Sequence, residues 1–275
     1  MNHRPRKRFG QHFLHDPGSI QHILTSVAPQ PGQKLVEIGP GQGAISEGLL
    51  RATGALDVIE LDRDLVAPLA KRLGRLGDLR IHNADALRFD LCALADSSIA
   101  ECNRLRIVGN LPYNISTPLL FRFLDQAECI DDLHLMLQKE VVERICADPG
   151  SKTYGRLSVM VQTRCSTQRL FVIRPGAFNP PPKVDSAMLR LIPHRPTPCP
   201  VDDAALHARI VTAAFAQRRK SLRNSLKGLV QASLLIERGI DPAARAEMIP
   251  VHTYADLANA LHANQEVGSQ GDCLS

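Results

Sequence analysis

The run Val36-Glu37-Ile38-Gly39-Pro40-Gly41-Gln42-Gly43 constrains the fold of this chain more than any other stretch, because an apolar strand passes into a glycine turn and then into a helical pattern over 44–50. Glycines there let the backbone bend sharply and approach a ligand closely. Strand, tight turn and helix in that order open a parallel α/β sheet, whose ligands sit at the carboxyl ends of the strands. The spacing of Gly39, Gly41 and Ala44 also satisfies the dinucleotide pattern G-x-G-x-x-A. Two neighbours argue against a dinucleotide. Pro40 lacks the N–H that a pyrophosphate would use, and Glu37 sets a carboxylate where a phosphate would be repelled. A cofactor without phosphate, such as S-adenosylmethionine, loses nothing by either.

A second strand over 57–62 carries Glu60, 21 residues beyond Gly39, the distance at which this architecture puts a carboxylate on ribose hydroxyls. The alternative for Glu60 is a solvated acid at a strand end. A third strand over 79–82 leads into Asn83-Ala84-Asp85, where Asp85 is placed to accept from an adenine amino group. Then the apolar run 105–109 ends in Asn110-Leu111-Pro112-Tyr113. An amide and backbone carbonyls accept from an exocyclic amine, proline stiffens the loop and tyrosine offers a stacking face. Taken alone the string could be a surface turn; at a strand's carboxyl end it reads as an amine-methylating pocket.

Strands alternate with helical patterns from 34 to about 193: a helix near 117–126, a strand at 133–137, a helix at 139–147, and strands near 168–173 and 187–192. That alternation predicts a doubly wound α/β sheet with helices on both faces. Pro193, Pro196, Pro198 and Pro200 then mark a stiff linker, so the expected division is a sheet domain over 1–193, a linker over 194–200, a small all-helical domain over 201–263 and a disordered tail over 264–275. A net charge of +5 is modest, but its distribution is not even. Four cations crowd Arg4-Pro5-Arg6-Lys7-Arg8, and the 204–236 stretch has no acid. Within it Arg219, Arg223 and Lys227 recur every four residues beside an apolar stripe of Leu222, Leu226 and Leu229. This predicts an amphipathic helix whose basic face, with Arg218 and Lys220, meets RNA phosphates. Seven cysteines without C-x-x-C or metal-ligand spacing read as reduced packing residues, and no metal is expected. No uninterrupted apolar run of membrane-spanning length occurs and the amino terminus lacks a signal-peptide pattern, so a cytoplasmic protein without membrane attachment is expected.

In order along the chain stand F-G-Q-H-F-L, V-E-I-G-P-G, V-I-E-L-D, G-N-L-P-Y-N-I-S-T-P, L-Q-K-E-V-V, Y-G-R-L-S-V, F-N-P-P-P-K-V-D-S from Phe178 to Ser186, and Gln217-Arg218-Arg219-Lys220. With these the chain closely resembles the ribosomal RNA adenine N6,N6-dimethyltransferases of the bacterial small-subunit (16S) type, over most of its length. The resemblance implies a Rossmann-like class I methyltransferase sheet. It places Gly39, Glu60, Asp85 and Asn110 around S-adenosylmethionine, with His12 and Leu14 from the amino-terminal segment; His12 stands where that family commonly has asparagine. Asn110, Leu111, Pro112 and Tyr113 would handle the target adenine, and Phe178 would cover the base's other face. The implied partner is 16S rRNA in the immature small ribosomal subunit, met by a monomer. Two alternatives are a large-subunit rRNA adenine methyltransferase and, from another class, an RNA-binding assembly checkpoint in which catalysis is dispensable. A DNA adenine methyltransferase fits less well, since Leu111 stands where a second proline is usual.

Overall fold

The computed structural model describes residues 11–95 and 104–271, with side chains through 265. The basic cluster at 4–8 and Cys102 and Cys273 lie outside these. Asp16 opens the first helix, α1 (Pro17–Val27), by accepting a hydrogen bond from Ser19 N, and Pro17 at the first helical position needs no partner for its missing N–H. Ile23 and Val27, one turn apart, are buried.

Phe13–Leu14 (β1) pairs antiparallel with Phe178–Asn179 (β8) in a two-stranded ribbon. The main sheet comprises β2 (Leu35–Ile38), β3 (Ala55–Ile59), β4 (Asp78–His82), β5 (Leu105–Asn110), β6 (Ile130–Gln138), β7 (Cys165–Ile173) and β9 (Ser186–Pro193), in the order β4-β3-β2-β5-β6-β9-β7. The pairs from β4 across to β6 are parallel, whereas β9 runs antiparallel to β6. Chain order therefore reverses between β2 and β5, with β3 on one side and β5 on the other. This is the switch point at which doubly wound sheets bind ligands. β2 is buried throughout, as expected for a strand covered on both faces. Gly109 of β5 lies beside Ile38, and a Cβ there would meet Ile38 O at 3.0 Å, so a side chain at this point would crowd the neighbouring central strand. The helices α2 (Ser46–Thr53), α3 (Arg63–Leu73), α4 (Ser116–Leu124) and α5 (Lys139–Ile145) complete the alternation. Arg106 in β5 makes a buried two-pronged contact with Asp132 in β6 (2.9 and 3.0 Å) and also donates to Val27 O, tying the end of α1 to the sheet.

The described chain forms two compact units. One runs to Val142 and resumes at Gln168–Pro193; the other takes Glu143–Thr167 together with the described residues from His194 on. Residues 143–167 fall inside the expected sheet domain, but Ala147, Tyr154 and Val159 bury their side chains with Leu206, Ile210 and Leu235 instead. This second unit contains α6 (Arg156–Gln162), α7 (Ala204–Phe215), α8 (Leu222–Ser225), α9 (Ala232–Glu237) and α10 (Val251–Gly271).

Three expectations need correction. The basic amphipathic helix is not continuous: α8 is only four residues long. Leu222 N donates to Ala244 O and Ser221 bridges Arg245, so pairing with a neighbouring loop competes with helix extension. The apolar stripe is nonetheless real, with Leu222 and Leu226 buried and Leu229 packed against the same core. The expected tail is helical as far as Gly271, since no proline interrupts the pattern that begins at Val251. Finally, Cys92 and Cys129 form a disulfide, their Cα atoms 5.4 Å apart, so the cysteines are not all reduced. Gln126, which accepts from Leu91 N at 2.7 Å, draws the two turns together; Cys165 and Cys199 are in no disulfide.

Candidate active site

The carboxyl ends of β2, β3 and β5 and the segment around β1 enclose a cavity of about 340 Å³. Gly39 and Gly41 both adopt positive φ (65° and 56°), the left-handed region that glycine enters at little cost. A side chain at Gly41 would also meet the Phe13 ring at 3.0 Å. Glu60 is 6% exposed. Its two oxygens accept from Asp62 N (2.8 Å) and Gly41 N (3.2 Å), leaving lone pairs for a ligand. Burial raises its pKa, with those backbone N–H groups opposing. Asp85 accepts from Leu87 N through Oδ1 (3.0 Å) and keeps Oδ2 without a protein partner among the described residues.

Of the residues named from sequence, His12, Leu14, Gly39, Glu60, Asp85, Asn110, Leu111, Pro112 and Tyr113 all line this cavity. Asn110 Nδ2 donates to His12 O at 3.1 Å, which turns Oδ1 away from that bond and leaves it free to accept. The Tyr113 hydroxyl shares a hydrogen bond with Ser186 Oγ (2.6 Å), and burial raises its pKa. Phe178 is not among the lining residues. It is 2% exposed, in the core with Leu14, Ile173 and Met188, because its pairing with Leu14 sends both side chains inward. Arg218, Arg219, Lys220, Arg223 and Lys227 belong to the second unit and are all exposed; Arg218 donates to Lys152 O.

Sequence reading missed several participants. Gln11 closes the cavity by donating to Asp62 (3.1 Å), a contact across 51 residues that no local pattern announces. Leu61, 49% exposed, offers an apolar surface beside Glu60 that its place at the strand's end could have signalled. Glu37 does more than repel phosphate. It is 3% exposed and its Oε2 has no partner among the described residues. Burial, helped by the nearby Glu60 charge, pushes its pKa up to about 7. The folded protein therefore holds a proton that the unfolded chain has released above its ordinary value of 4.5. Stability should fall as pH rises across that window, by up to about 1.4 kcal/mol per pH unit. Glu37→Gln should flatten this slope, which urea titrations at several pH values would show.

Four acidic side chains, Glu37, Glu60, Asp62 and Asp85, line the cavity, and among the described residues no lysine or arginine does. Such a site disfavours phosphates and suits a cationic ligand. Among the described residues no group of His, Cys, Asp or Glu is arranged to hold a metal, and no helix is long and apolar enough to cross a membrane.

Comparison with known proteins accords with this geometry. Residues 2–263 match the family described as ribosomal RNA adenine dimethylase. Relatives named ribosomal RNA small subunit methyltransferase A include those of Nitrosococcus oceani (55% identical, covering 94% of this chain and 96% of the relative) and Methylococcus capsulatus (52%; 95% and 100%). Among solved structures, a dimethyladenosine transferase from Plasmodium falciparum superposes with a TM-score of 0.78 (22% identical, covering 92% of this chain and 98% of that one). The 23S rRNA methyltransferase ErmE gives 0.69 (22%; 91% and 99%). At that identity the two structures establish the class I methyltransferase fold alone. The family match spans both units, and on it the chain belongs to the ribosomal RNA adenine dimethylase family.

Proposed function

We propose that this protein uses S-adenosylmethionine to dimethylate N6 of two adjacent adenines in the 3′-terminal hairpin loop of 16S rRNA, acting as a monomer on the immature small subunit in the cytoplasm. The observation that carries this reading is the fixed amide of Asn110, its Nδ2 bound to His12 O and its Oδ1 without a partner among the described residues, in the lining of an acid-lined cavity. The names of its relatives, matched over nearly the whole chain, support the small-subunit target.

When bound, S-adenosylmethionine supplies an electrophilic methyl group. Glu60 and Asp85 would hold its ribose and adenine, the positive-φ glycines would let it lie close to the backbone, and the acids would favour its cationic end. Adenine N6 is a poor nucleophile because its lone pair is delocalised into the ring. Asn110 Oδ1, accepting from N6–H with a loop carbonyl such as that of Leu111, would draw that nitrogen toward tetrahedral geometry. An amine that has gained a methyl group this way is strongly acidic, so the site needs no dedicated base. The target must leave its stack to enter, which favours a hairpin loop over a duplex.

Mass spectrometry of small-subunit RNA incubated with the protein and isotopically labelled S-adenosylmethionine tests the proposal. Label in adjacent dimethyladenines is expected; label only in large-subunit RNA would overturn it. Glu60→Ala should weaken cofactor binding by about 1.5–3 kcal/mol, as for hydrogen bonds to a charged group. Calorimetry giving an unchanged affinity would remove Glu60 from the site. Replacing Arg219, Arg223 and Lys227 by alanine should weaken RNA binding across sequences and lower its salt slope by roughly 0.7–0.9 per lost phosphate contact. Cofactor affinity should stay the same. RNA binding whose strength and salt dependence both survive would reduce these side chains to solvated surface.

A further inference from the structure

The ring of Tyr113 is restrained from two directions. At its rim the hydroxyl lies 2.6 Å from Ser186 Oγ, 73 residues away in sequence. Ser186 is fully buried at the start of β9, where it pairs with Gln138 of β6, so its position is set by the sheet. On its face the imidazole of His12 stacks, centroids 5.7 Å apart and planes at 29°. His12 is anchored in turn: its Nδ1 donates to Pro180 O at 2.7 Å, and its carbonyl accepts from Asn110.

We propose that Ser186 is a positioning residue of the base site: together with His12 it clamps the Tyr113 ring, so that it governs engagement of the target adenine and not binding of the methyl donor. This rests on the adenine-methylating function proposed above. An unrestrained tyrosine would have to be ordered each time a base arrived, at an entropic cost to binding. The clamp meets that cost during folding. It also fixes the ring next to Asn110, so a base settled on the tyrosine is held where the amide oxygen can reach its amino group. Ser186 itself need not touch the substrate.

Ser186→Ala and Tyr113→Phe test this, because each breaks the hydroxyl link and leaves the aromatic ring in place. The measurements are KM for RNA and kcat, calorimetric affinity for S-adenosylhomocysteine, and fluorescence of a hairpin carrying 2-aminopurine at the target position. Each single variant should raise KM for RNA by about five- to tenfold and diminish the fluorescence change on binding, with S-adenosylhomocysteine affinity unaltered. The double variant should be no worse than either single one, since one link is broken once. Fully additive effects would overturn the proposal by showing that the hydroxyls act independently. Loss of S-adenosylhomocysteine affinity in step with the rise in KM would overturn it too, making Ser186 a general support of the cavity. Failure of the unaltered protein to methylate small-subunit RNA would overturn the functional reading as well, and is told apart because it appears before any variant is compared.

Discussion

Replacing Asn110 by alanine is expected to slow the methyl-transfer step by roughly 10²- to 10³-fold, the usual effect of removing one preorganised polar group from a reacting centre. RNA affinity should change far less, because the bond to N6 strengthens only as the nitrogen becomes tetrahedral. Asn110 also ties down the amino-terminal segment through His12 O, so cofactor affinity should drop somewhat as well. Single-turnover rates at saturating cofactor and RNA separate the two effects. A near-normal rate under those conditions would show that the strand-end loop is not the transfer site.

The second large effect concerns Phe178. As a stacking platform its loss would weaken RNA binding by about 1–3 kcal/mol per base and leave the fold intact. The structure points elsewhere: at 2% exposure among Leu14, Ile173 and Met188, it is a core residue. Phe178→Ala should therefore destabilise the protein by about 3–5 kcal/mol through the cavity it leaves, and Phe178→Leu by much less. Urea denaturation measures this directly. Unchanged stability with weakened RNA binding would mean that the ring leaves the core to meet the base.

Much of the site was legible because the strands that carry it announce themselves locally. Gly39, Glu60, Asp85 and Asn110 each follow a short apolar run, and a parallel sheet brings the ends of such runs together whatever lies between them. What escaped depended on pairing at long range or on competition between local and tertiary preferences. The capping pattern of Asp16 and Pro17 could have revealed α1. Nothing near Phe13 announces its partner at Asn179, and two-residue strands carry no periodicity. The segment 219–229 has helical spacing, yet bonds from its backbone to Pro242 and Ala244 hold it as a turn and a short helix. Spacing showed which of its leucines are buried; it could not show the backbone path. Cys92 and Cys129 likewise have no motif, their meeting being a product of the fold around Gln126.

The small ribbon of β1 and β8 has a consequence for the timing of the protein's own synthesis. His12 and Pro180, which meet there, are 168 positions apart. At typical elongation rates of about 5–20 residues per second, the amino-terminal segment waits on the order of ten to thirty seconds for its partner. Until then the His12 ring lacks the Pro180 carbonyl that anchors it, and Tyr113 lacks Ser186. A chain translated short of Ser186 thus has no finished base site, and methylation can begin only once nearly the whole sheet unit has left the ribosome.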